Sequence, residues 1–167
     1  VALLTLTIEG LVENVLPAFA LLQLDLEKGA SEAANAGAKV GAEHAKTNHR
    51  FKNKTGKLES SIGWRSLVVR GTNPSAEFFA DTPYANIVAK GSKPHPIDPK
   101  PGNPTGLLWW NDPWPDGDLV HAHHVDHPGT APDPFMDDAA KAAEAETELV
   151  LEAHTKVACA RADRALR

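Results

Sequence analysis

The chain has 167 residues, 42% of them hydrophobic, which is the size and make-up of one soluble domain with a single core, here spanning residues 1–167. A net charge of -5 argues against tight wrapping of nucleic acid, which needs clustered Lys and Arg. Its lone cysteine, Cys159, rules out an internal disulfide and a zinc ribbon and fits folding in a reducing cytoplasm.

The opening VALLTLTIEG is apolar, carries no basic leader, and is interrupted by Glu9 and Gly10, so it reads as neither signal peptide nor membrane anchor. Leu4, Leu6 and Ile8 alternate with Thr5 and Thr7 and predict a short half-buried strand. From Leu11 to about His49 the spacing turns helical through Leu16, Phe19, Leu22 and Leu26, with Pro17 and Gly29 expected to break the helix into pieces. Ala34, Ala38, Ala42 and Ala45 form a narrow stripe that can lie close to another helix but buries little area alone.

A turn at Thr55-Gly56 leads into a strand through Ile62, Trp64 and Val68, and AEFFAD resumes after a turn at residues 71–74, giving a hairpin. TPYANIVAKGS predicts a short helix capped by Thr82, with Pro83 in its first turn and Gly91 as its stop. Residues 93–117 form a long Pro-rich excursion whose one strand, GLLWW, presents Trp109 and Trp110 to opposite faces. DLVHAHHV is a further strand. The last long helix has Asp133 as N-cap and Pro134 as its first residue, and its predicted seam is Met136, Ala140, Ala143, Thr147, Val150, His154 and Val157. The elements add up to an α+β fold, a small mainly antiparallel sheet packed with an N-terminal and a C-terminal long helix.

Four histidines and an aspartate fall between His121 and His127. On a strand His121 and His123 share a face, a workable start for zinc, with His95 or Asp126 as a third ligand, and that alternative is a small zinc-dependent hydrolase. The simpler reading is ring-bearing residues on a partly exposed strand that need no metal or other cofactor. G-x-S-x-G, phosphate-cradling glycine loops and H-E-x-x-H are absent, and Cys159 has no evident base on its face. FKNKTGK reads as a solvated turn and the paired tryptophans as core or interface.

Three ordered stretches carry a resemblance. They are TGKLESSI after the Ala-rich helix, YANIVAKGSKPHPIDP before LLWW, and HVDHPGTAPDPFMDDA at the start of the last helix. With the opening LTIEGLVENVLPAF, the chain resembles the head-tail joining proteins, also called tail-completion or neck proteins, of long-tailed double-stranded DNA bacteriophages. Where that family usually has an acidic residue shortly before a Gly-Thr, this chain has Ala89-Lys90-Gly91-Ser92.

The resemblance implies no catalysis and no cofactor. It implies a homo-oligomeric ring, a hexamer or dodecamer, made in the bacterial host cytoplasm and placed in the virion neck as a tail-completion or tail-terminator protein. The implied partners are copies of itself, the portal, adaptor or stopper proteins and the tail tube protein, with DNA passing through unbound and no membrane. The residues implied at structural and interface positions are Thr55, Gly56, Leu58, Tyr84, Ala85, Ile87, Val88, Gly91, Trp109, Trp110, His127, Pro128, Gly129, Thr130, Pro132, Pro134 and Phe135. The physics is compatible: three prolines and a glycine in HPGTAPDPF fix a stiff path into Phe135.

Overall fold

A computed structural model describes residues 15–52, 55–67, 74–112 and 117–166. The strand expected at Leu4 to Ile8 lies outside them, as do Val68 and most of the hairpin turn expected at residues 71–74. Ten elements follow in order: α1 (Leu16–Thr47), α2 (Lys57–Ser61), β1 (Ile62–Leu67), β2 (Ser75–Ala80), α3 (Ala85–Lys90), β3 (His95–Ile97), β4 (Leu108–Asp112), β5 (Asp118–Ala122), β6 (Val125–His127) and α4 (Phe135–Ala165). They fall into two compact units, one built from Val1–Thr82 with Pro134–Arg167 and the other from Pro83–Asp133.

In the first unit α1 and α4 run antiparallel: Gly29 lies against His154, Gly37 against Thr147 and Gly41 against Ala143. α1 is continuous, so neither expected break occurs. Pro17 sits in the first turn, where no helical N–H is needed, and Gly29 lies where α4 leaves no room for a side chain. A Cβ on Gly29 would stand 2.6 Å from the Cβ of His154, and one on Gly37 would be 2.7 Å from the Ala143 carbonyl oxygen and closer still to the Thr147 hydroxyl. Each glycine in a helix interior costs roughly 1 kcal/mol relative to Ala, a cost that close helix packing offsets here.

The buried row of α1 is therefore Gly29, Ala33, Gly37, Gly41 and Ala45 at four-residue steps, flanked by Ala38 and Ala42. The predicted stripe is right at Ala38, Ala42 and Ala45 and only half-buried at Ala34. On α4 the predicted seam holds from Ala143 to His154 but slips by one residue at both ends: Phe135, Ala139, Ala158 and Ala162 are buried, whereas Ala140 and Val157 are exposed. The steps along this seam are mostly four residues rather than alternating fours and threes. Leu16 and Phe19 also point to solvent, at 59% and 62% exposure. Arg161 donates to both carboxylate oxygens of Asp25 at 3.0 and 3.2 Å, and His154 pairs with Glu32 at 2.9 Å, tying the half of the helix pair farthest from Phe135.

Phe135 is fully buried and meets the edge of Phe51 at 5.4 Å between centroids, while His49 stacks on Phe51 at 3.7 Å. The helix begins one residue later than predicted, with Pro134 as N-cap. The β1–β2 hairpin is antiparallel as expected, in register from Ile62↔Ala80 to Leu67↔Ser75, and Phe78 packs over Gly41. A short helix, α2, precedes β1 where the apolar pattern suggests strand alone; Leu58 on α2 and Ile62 at the start of β1 are both buried.

The second unit holds α3 and two more two-stranded antiparallel ladders, β3–β6 and β4–β5. The α+β class and the paired long helices hold; among the described residues the strands form three small antiparallel ladders where one small sheet was expected. DLVHAHHV is not one strand either, since a break at His123 and His124 divides β5 from β6. The excursion contains a second strand, β3, which pairs with β6 from His95↔His127 to Ile97↔Val125.

Candidate functional site

Two of the stretches that carry the resemblance meet in the second unit. α3 has Tyr84 as its N-cap and not the expected Thr82, because the Tyr84 carbonyl accepts the first bonds, from the Ile87 and Val88 N–H groups, both at 3.0 Å. Gly91 ends the helix with φ 72°, and Gly129 follows Pro128 with φ 87°. Beside them Ser92 and Thr130 form an isolated antiparallel bridge. The Ser92 N–H donates to the Thr130 carbonyl at 2.9 Å and the Thr130 N–H to the Ser92 carbonyl at 3.1 Å.

The geometry is reciprocal. A Cβ on Gly91 would run into the Thr130 carbonyl and Pro132, and one on Gly129 into the Ser92 carbonyl and Lys93. Both positions therefore need glycine twice over, for a backbone with positive φ and for close approach. The clasp extends on both sides. The Asp133 N–H reaches the Val88 carbonyl at 3.0 Å, and the Gly129 N–H donates to Nδ1 of His127 at 3.0 Å. Gly91, His127, Pro128, Gly129, Thr130 and Pro132 thus form one assembly with α3, on which Tyr84 and Ile87 stand exposed and Ala85 and Val88 half-buried.

The remaining predicted positions lie elsewhere. Leu58, Pro134 and Phe135 belong to the first unit; Leu58 and Phe135 are core, Gly56 caps α2 with φ 69°, and Thr55 is exposed beside it. Trp109 and Trp110 take opposite faces of β4, one 69% exposed and the other half-buried.

The histidines do not assemble as the zinc alternative requires. His121 stands opposite Trp109 in the ladder, Nδ1 of His123 bonds the Gly106 carbonyl at 3.0 Å, and His95 pairs with His127, ring centroids 5.0 Å apart. The break after Ala122 removes His123 from the strand face it was expected to share. No group of three or more His, Cys, Asp or Glu side chains among the described residues is placed to hold a metal ion.

What sequence reasoning missed is His124. Its Nδ1 lies 2.7 Å from Asp98 and its Nε2 3.2 Å from Asp126. Carboxylates only accept, so both ring nitrogens must donate, and the imidazolium is the form that satisfies both. The hydrogen bonds to Asp98 and then Asp126 hold its pKa above the ordinary value. Asp98 is 26 positions away, a separation that local spacing cannot bridge. On α4, Lys141 holds the Asp138 carboxyl below the usual range through a 2.9 Å bond and is itself raised, a surface pair near the start of the helix.

Residues 20–91 match the HK97-gp10-like family, described as "Bacteriophage HK97-gp10, putative tail-component". The match takes in most of α1, the first hairpin and α3 up to the clasp glycine, and it is consistent with the head-tail joining resemblance. Over that stretch the chain is similar to a phage tail-component family. No curated protein and no solved structure matches the chain. Among the described residues no helix is long and apolar enough to cross a membrane.

Proposed function

We propose that the chain is a structural virion protein that forms a homo-oligomeric ring at the neck of a tailed phage, joining the portal-bearing head to the tail. The observation that carries this reading is the clasp. Two stretches that mark the head-tail joining resemblance, far apart in the chain, are bonded into one stiff corner at Ser92 and Thr130. A scaffold needs such a corner to fix the angle at which a surface is presented, and a heterologous ring closes only if that angle repeats from copy to copy.

The tail-component match supports the same reading. Its partners are further copies of the chain, the portal, adaptor or stopper proteins on the head side and the tail tube protein below. The net charge of -5 suits a conduit from which DNA departs without lasting contact. The test is location. Gold-labelled antibody against the chain should mark the junction of head and tail in intact particles, and label confined to the tail tip or missing from particles would contradict the proposal.

A further inference from the structure

Two sets of exposed apolar and charged side chains stand on different elements of the second unit, with Lys100 exposed apart from both. On the β4–β5 hairpin one face carries Trp109 at 69% exposure and Leu119 at 55%, each opposite a polar partner, His121 and Asn111. At the loop end of the same hairpin Asp112 and Asp118 are direct cross-strand partners. Like charges in that position repel, and neither makes an ion pair among the described residues.

The second set lies on α3 and just after it. Ile87 is 52% exposed and Tyr84 39%, and they are followed by Lys90 and Lys93, both exposed and both without an ion pair among the described residues. The unit's other described carboxylates are engaged or buried: Asp98 and Asp126 hold His124, and Asp133 is 5% exposed. What remains is a hairpin with Trp109 and Leu119 exposed on one face and two aspartates on the other at its loop end, and a helix whose exposed Tyr84 and Ile87 are followed by two lysines, with no ion pair between the two sets among the described residues.

We propose that the two sets meet between copies, the β4–β5 hairpin of one subunit lying on α3 of the next. Trp109 and Leu119 cover the exposed apolar side of that helix, and Asp112 and Asp118 meet Lys90 and Lys93 of the partner subunit. This deepens the ring reading and rests on it. The contact joins two different patches, which is the heterologous geometry a closed ring requires. A central aromatic anchor with charges at its rim is the usual composition of such an interface. Strand alternation places the aspartates on the face opposite Trp109, so the lysines approach around the loop end and not over the indole.

Sedimentation of the purified chain tests this by charge exchange. The parent should form a multimer; Asp112→Lys with Asp118→Lys, and separately Lys90→Glu with Lys93→Glu, should each raise the concentration needed for assembly about tenfold or more. An equimolar mixture of the two folded variants should restore assembly, because each junction then pairs opposite charges again. If either double variant loses its circular dichroism spectrum, Asp118→Lys and Lys90→Glu alone make the same exchange. A parent that stays monomeric, variants that assemble as the parent does, or a mixture that fails to recover each overturns the contact. A chain located at the neck whose assembly ignores these charges loses this contact and keeps the neck role, whereas recovery in the mixture from a chain absent from particles does the reverse.

Discussion

Ser92 and Thr130, 38 positions apart, exchange both of their backbone hydrogen bonds, at 2.9 and 3.1 Å, and each is preceded by a glycine with positive φ. The bridge joins the end of α3 to the turn that follows β6, so two loops behave as one corner.

Gly91→Ala or Gly129→Ala adds a methyl group that meets a carbonyl of the opposite loop and strains the backbone, and should cost about 2–4 kcal/mol. Gly102→Ala, with φ 88° but nothing within 4 Å, isolates the strain alone and should cost about 1 kcal/mol. Urea unfolding followed by a probe on the second unit measures the difference; equal losses at all three positions would contradict the clasp.

On the helix pair, the sign of one substitution is diagnostic. Propensity alone makes Gly37→Ala stabilising by about 1 kcal/mol. Packing against Thr147 and the Ala143 carbonyl should instead make it destabilising by about 1–3 kcal/mol. Pairing it with Thr147→Ala removes one of the two obstacles and should recover part of the loss in a double-mutant cycle on thermal unfolding.

Phe135 anchors the start of α4 with its side chain fully buried against Phe51. Phe135→Ala should cost about 3–5 kcal/mol, enough to unfold a marginal domain, while Phe135→Leu keeps most of the volume and should cost less than half of that. Thermal denaturation by circular dichroism reads both.

The pH dependence follows from His124. Its pKa is raised in the folded chain, so the contact with Asp98 and Asp126 contributes fully below the unfolded value near 6.5, as long as both carboxylates stay charged, and fades as pH rises through the raised folded value. The second unit should therefore lose a little stability as pH climbs from about 6.5 through that higher value, and His124→Ala should abolish the difference. The ring protons of His124, followed by NMR, should titrate above the ordinary histidine range; a midpoint at or below about 6.5 would remove the bridge.

The elements with strong local signals were legible from the sequence: the two long helices, the first hairpin, the short helix stopped by Gly91, and the opposed faces of Trp109 and Trp110. The seams were legible only in part. A stripe of alanines draws the eye, yet glycine marks the closest approach of α1 to α4, and which of two adjacent small residues faces the partner depends on the partner. Gly29 as a packing residue and Pro17 as a first-turn residue contradict local breaker rules because tertiary contact and position override propensity. β3 and the His124 bridge were invisible for a different reason: three residues with a proline among them carry no period, and Asp98 reaches His124 only because β3 pairs with β6. The same pairing draws His95 to His127 and away from any shared site with His121 and His123.

The most direct measurement of the central claim is electron microscopy of lysates from a phage carrying a deletion of this gene. Filled heads and complete tails lying separate, rejoined when the chain is supplied in trans, are the predicted result. Normally joined, infectious particles from the deletion would contradict a head-tail joining role.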